Sequence, residues 1–158
     1  MKTAEIMTEP VVSVSPEATI EEAARLMVEK RISGLPVVDA GNVVGILTEG
    51  DLIRRPETGT ERRHSRWLEF FLSAGRTQEY VRSHARKVGE VMTRNVVSVD
   101  KDTPLGQVVK LMEQHGIKLI PVLENDRLVG IVSRANLVGA LANALRVSAV
   151  EERFFHGK

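Results

Sequence analysis

Two short stretches of the sequence place a hydroxyl three residues before a carboxylate or a carboxamide. In "GILTEGDL" (45–52) Thr48 precedes Asp51, and in "GIVSRANL" (130–137) Ser133 precedes Asn136. Such a pair can do two things. A hydroxyl followed three positions later by an acid can close a capping box, each side chain satisfying an orphan backbone N–H of the other. Alternatively, the pair can hold something from solution, since a carboxylate has two oxygens able to accept hydrogen bonds. Parts for other chemistries are missing. His64, His84, His115 and His156 are scattered without an HExxH pair, and no GxGxxG, phosphate loop or GxSxG elbow occurs. With no cysteine there is no disulfide, thiol nucleophile or thiolate metal site. The sequence predicts neither an enzyme nor a metal centre.

The elements that hold these pairs come twice. Residues 6–55 align on 91–140 at an offset of 85 without a gap, and fifteen of fifty positions are identical. That is far above the roughly three expected by chance from ordinary residue usage, so the chain carries a duplicated structural unit. Within each copy, Val11, Val12 and Val14, like Val96, Val97 and Val99, predict a short β-branched strand. A helix follows. Ile20, Ala23, Ala24, Met27 and Val28 recur at helical spacing behind a Thr19/Glu22 capping box, and Leu105, Val108, Val109 and Met112 match them after Thr103-Pro104. "LPVVD" and "IPVLE" predict strands, "AGN" and "NDR" the hairpin turns, and "VVGIL" and "LVGIV" the returning strands. A second helix starts after Thr48 and after Ser133. Each copy therefore predicts strand, helix, strand, strand, helix, an α+β arrangement.

Composition sets the outer bounds. The 158 residues are 42% hydrophobic and 27% charged, enough for one respectable core. No apolar run approaches the roughly 18 residues of a membrane span, and MKTAEIMTEP lacks the regions of a signal peptide, so a soluble cytoplasmic protein is expected. The net charge of +1 hides a basic segment: residues 54–87 hold nine Lys or Arg against four Glu.

The order of these features, "MT…VVSV", "RISGLPVVD" with "GIKLIPVLE", and "GILTEGD" with "GIVSRAN", resembles the cystathionine-beta-synthase (CBS) domain, whose tandem pairs form the Bateman module. The resemblance implies two repeats related by a pseudo-twofold axis, with a helical insert between them and two clefts built across the copies. By residue the segments are 1–55, an insert at 56–90, 91–145, and a tail at 146–158. It further implies an adenosine-containing ligand, such as AMP, ADP, ATP, NAD or S-adenosylmethionine, bound by a homodimeric bacterial regulator that senses the nucleotide through a conformational or dimer-interface change. In one cleft Thr48 and Asp51 would face Met92, Thr93, Val96, Val97, Ile117 and Lys118. In the other, Ser133 and Asn136 would face Met7, Thr8, Val11, Val12, Ile32 and Ser33, with Arg31 or Lys30 near phosphate. Asn136 departs from the family's acid, so its hydrogen bonds to ribose should be roughly half as strong, and unequal sites are expected.

The insert joins Arg62, Arg63 and Arg66 to an apolar set, Trp67, Leu68, Phe70 and Phe71. It predicts a lid or dimer helix laying aromatics on the core, with a contact to an anionic partner as the alternative. No helix-turn-helix accompanies it, so nucleic acid is not the expected partner. Leu137, Leu141 and Leu145 continue the last helix toward Phe154 and Phe155.

Overall fold

The computed structural model describes residues 1–53 and 86–155, with side chains to Leu52 and from Arg86 to Arg146. The predicted aromatic patch of the insert, and most of its basic residues, lie outside the described residues. The chain forms two compact units, Val12–Val96 on one hand and Met1–Val11 with Val97–Lys158 on the other.

In the Val12–Val96 unit, α1 (Ile20–Lys30) starts at Thr19 as the sequence predicts. Thr19 Oγ1 accepts from the Glu22 N–H at 3.1 Å, and Glu22 Oε2 accepts from the Thr19 N–H at 2.8 Å. This reciprocal cap satisfies two donors that the first turn would leave open. A hairpin follows, β1 (Gly34–Asp39) and β2 (Asn42–Thr48), turned by Ala40 and Gly41, both at positive φ. Two left-handed central residues are what a tight two-residue hairpin needs to match strand twist. Then come α2 (Glu49–Ile53) and, after the undescribed residues, α3 (Val88–Val91).

The other unit repeats the plan. β3 (Val99–Asp100) runs parallel to β4 (Leu119–Glu124), which pairs antiparallel with β5 (Arg127–Ser133), and Asn125 and Asp126 supply the positive-φ turn. α4 (Leu105–His115) ends at Gly116 in the left-handed region, and α5 spans Arg134–Phe155. A short 3-10 turn, Thr3–Glu5, is tied into this unit: the Thr3 hydroxyl donates to the Thr103 carbonyl at 2.7 Å, and Lys2 pairs with Asp102.

The cores occupy equivalent positions. Ala23, Met27, Leu35, Val37 and Leu47 are buried in one unit, and their counterparts 85 residues on, Val108, Met112, Ile120, Val122 and Val132, in the other. Fully burying one such aliphatic side chain contributes about 1.5–3 kcal/mol. Val28 and Val109, placed on the apolar face by helical spacing, are instead exposed. The predicted first strands also shrink: Val14 makes a single bridge to Val37, and only Val99 and Asp100 form a ladder in the second copy.

Pro36 and Pro121 sit inside β1 and β4 without breaking the hairpins. Their partners Ile46 and Ile131 turn both backbone groups outward. Ile46 exchanges N–H and C=O with Thr93, and Ile131 does so with Thr8, at 2.8–3.1 Å. No hydrogen bond to the prolines is therefore missing, and each hairpin's outer edge gains a threonine.

Candidate functional site

The threonines fixed on those outer edges reach the capping pairs. In the Val12–Val96 unit, Asp51 Oδ2 accepts from the Thr48 backbone N–H at 2.9 Å and from the Thr48 hydroxyl at 3.0 Å, and the Asp51 N–H donates to Thr48 Oγ1 at 3.3 Å. The capping reading of the motif is thus correct as far as it goes. The second carboxylate oxygen is not spent on the cap: Oδ1 accepts from the Thr93 hydroxyl at 3.1 Å. Asp51 is half-buried and Thr93 exposed, so one lone pair of Oδ1 and those of Thr93 Oγ1 face outward from a fixed acceptor set.

The same construction recurs in the other unit with different chemistry. Asn136 Oδ1 accepts from the Ser133 N–H at 2.8 Å and from its hydroxyl at 2.7 Å, and the Asn136 N–H returns to Ser133 Oγ at 3.3 Å. Because a backbone N–H can only donate, the amide oxygen must face it, and the amide nitrogen must face the other way. Nδ2 then donates to Thr8 Oγ1 at 3.1 Å.

Close backbone approach makes both clusters possible. A Cβ on Gly45 would lie 2.5 Å from Met92 Sδ and 3.0 Å from the Thr93 carbonyl oxygen, and a Cβ on Gly130 would collide with Met7. Glycine at these two positions lets the segments carrying Thr93 and Thr8 lie against β2 and β5. One further backbone bond fixes each cap: the Glu49 N–H donates to the Ser33 carbonyl at 3.0 Å, and the Arg134 N–H to the Lys118 carbonyl at 3.2 Å.

The remaining expected residues divide between the units. Met92, Thr93 and Val96 share a unit with Thr48 and Asp51, as do Val12, Arg31, Ile32 and Ser33; Met7, Thr8, Val11, Val97, Ile117 and Lys118 share one with Ser133 and Asn136. Met92 is buried, Val12 and Ile32 line the core of the first unit, and Ile117 lines that of the second. Arg31 is exposed and ends α1 at a φ of 54°, where its counterpart is Gly116. The direction of the Thr93 and Thr8 hydrogen bonds had no signal in either motif alone; it follows from the aspartate-to-asparagine difference only once the threonines are seen to adjoin it. Among the described residues, no group of three or more His, Asp or Glu is placed to hold a metal ion, and no helix is long and apolar enough to cross a membrane.

The family model for the CBS domain matches residues 4–57 and 88–143, more than half of the chain. The CBS domain-containing protein YhcV of Bacillus subtilis is 33% identical over 145 residues, covering 91% of this chain and 89% of YhcV. The chain spans only 23% to 57% of three other relatives. Among solved structures, CBSX2 in complex with AMP is 26% identical with a TM-score of 0.66, covering 93% of this chain and 98% of that one. The CBS domain pair of protein MJ0100 in complex with 5-methylthioadenosine and S-adenosyl-L-methionine is 25% identical with a TM-score of 0.66, covering 89% and 99%.

Proposed function

The chain belongs to the CBS domain family and has its tandem α+β fold, and from that premise we propose that it is a regulatory module that senses an adenosine-containing nucleotide. Asp51 carries this reading. Its Oδ1, beside Thr93 Oγ1, forms a fixed acceptor pair suited to the two hydroxyls of a ribose, and a charge-assisted hydrogen bond of this kind contributes about 1.5–3 kcal/mol. The AMP held by CBSX2 and the adenosyl compounds held by MJ0100 support an adenosine ligand. The chain catalyses no reaction under this proposal; the ligand changes the relative population of two arrangements, which requires unequal affinity for them, typically by about 1–3 kcal/mol. The responding assembly is a homodimer, supported by the exposed stripe Val138, Leu141 and Leu145 along α5.

A thermal melting screen with AMP, ATP, NAD, S-adenosylmethionine and a guanosine nucleotide tests the proposal. A ligand at a hundred times its dissociation constant adds about 2.7 kcal/mol of stability, a shift of several degrees for a chain of this size. A melting point that no adenosine compound raises would leave the module without the assigned role.

A further inference from the structure

The two clusters are the same in shape and opposite in hydrogen-bond direction. An ionised carboxylate can only accept, so the Thr93 hydroxyl must spend its proton on Asp51 and present lone pairs outward. The Asn136 amide nitrogen can only donate, so Thr8 Oγ1 receives that proton and its own hydroxyl proton is left for a partner outside the cluster. The second proton of Asn136 Nδ2 is likewise unspent, while Asn136 Oδ1 is saturated by the two Ser133 donors. One cluster thus offers acceptors and the other offers donors.

Charge also differs at two of the adjoining equivalent positions. Where the first unit has Ser33 and Glu49 joined by their backbones, the second has Lys118 and Arg134. The neighbours of the threonines run the other way, Arg94 against Glu9, but the Arg94 guanidinium is held on the Gly89 carbonyl at 2.9 Å. At these aligned positions the first unit carries Glu49 and Arg94 and the second Lys118, Arg134 and Glu9, while Arg31, two residues before Ser33, answers to Gly116 and runs against the trend. These side chains are exposed and salt-screened, so they reinforce the hydrogen-bond argument without replacing it.

We infer that the Thr8–Ser133–Asn136 cluster is an oxyanion site, selecting a phosphate monoester or carboxylate where the Asp51 cluster selects a free sugar diol. The inference rests on the proposed ligand-sensing role and gives its two sites different ligand classes. A chain built this way reads two chemically distinct signals, or the two ends of one ligand class, instead of two copies of one nucleotide.

Calorimetric titration of the full chain with AMP, with adenosine 3′,5′-bisphosphate and with inorganic phosphate tests this, using Asn136→Asp and Asp51→Asn as the exchanging variants. The bisphosphate, or phosphate alone, is expected to bind at the Asn136 cluster, to lose at least about tenfold in affinity in Asn136→Asp, and to be retained in Asp51→Asn. Chemical shift changes at the Thr8 and Ser133 amides locate the site even if calorimetric heats are small. AMP binding with neither anion responding to Asn136→Asp would overturn the inference and leave the ligand-sensing role standing. Absence of binding by AMP and by both anions would overturn the two together.

Discussion

Replacing Asp51 by alanine and, separately, by asparagine divides the cap from the sugar contact. Alanine removes three hydrogen bonds, two that close the helix start and one from Thr93. The cap alone costs about 1 kcal/mol when lost, and the half-buried Thr48 N–H is then left to water. Asparagine keeps the cap, because Asn136 already shows that an amide oxygen takes both donors of the preceding hydroxyl residue at 2.7–2.8 Å. It nevertheless turns the Thr93 contact around and deletes the charge. Stability to urea should therefore fall by about 1 kcal/mol in Asp51→Ala and by less than half of that in Asp51→Asn. AMP affinity should fall in both, by roughly ten- to a hundredfold in the alanine variant, since a charged acceptor contributes about 1.5–3 kcal/mol. Urea midpoints and calorimetric titration read the two effects independently. If asparagine preserved AMP affinity, or if both variants lost stability equally with binding intact, Asp51 would be a cap and nothing more.

Other consequences follow from differences between the copies. Gly45→Ala should destabilise by about 1–3 kcal/mol and weaken AMP binding, because the new Cβ meets the buried Met92 and the Thr93 carbonyl; Gly130→Ala should cost less, since the atoms nearest its Cβ all belong to the half-buried Met7 side chain, and urea unfolding ranks them. Ala40→Asn should raise stability by about 0.5–1 kcal/mol, because Ala40 occupies a left-handed φ of 49° that its counterpart Asn125 tolerates better. The Lys2 hydrogen bond and charge hold the Asp102 carboxyl below its ordinary range, so their stabilisation is present above about pH 3.9 and is lost as pH falls through the lowered native value. Asp102→Asn should accordingly differ from wild type in urea midpoint at pH 6, converge with it in acid, and converge again in molar salt, both groups being exposed.

Much of the fold was legible because repeated spacing carries it. The capping box at Thr19, the two hairpin turns and both central helices follow from local rules that tertiary packing left alone. β-Branching predicts a strand over Val11, Val12 and Val14, yet that preference measures fit to a half-buried surface rather than pairing, and of the three only Val14 pairs, in a single bridge to Val37. Val28 and Val109 show the same limit in helices: period identifies a stripe, but its width is set by what packs against it. At the clusters, Thr48 with Asp51 and Ser133 with Asn136 were visible as pairs. The threonines that complete them stand 42 and 128 residues away, and only the exchange of backbone bonds with Ile46 and Ile131 brings them in.

The first eleven residues belong to a unit whose remainder begins at Val97. During synthesis the Val12–Val96 unit can emerge and close while the amino-terminal strip waits for partners, Thr103 and Ile131 among them, that the ribosome has yet to deliver. Cutting the gene midway would consequently give two fragments each holding a piece of the other's fold, and their assembly would depend on mixing both together.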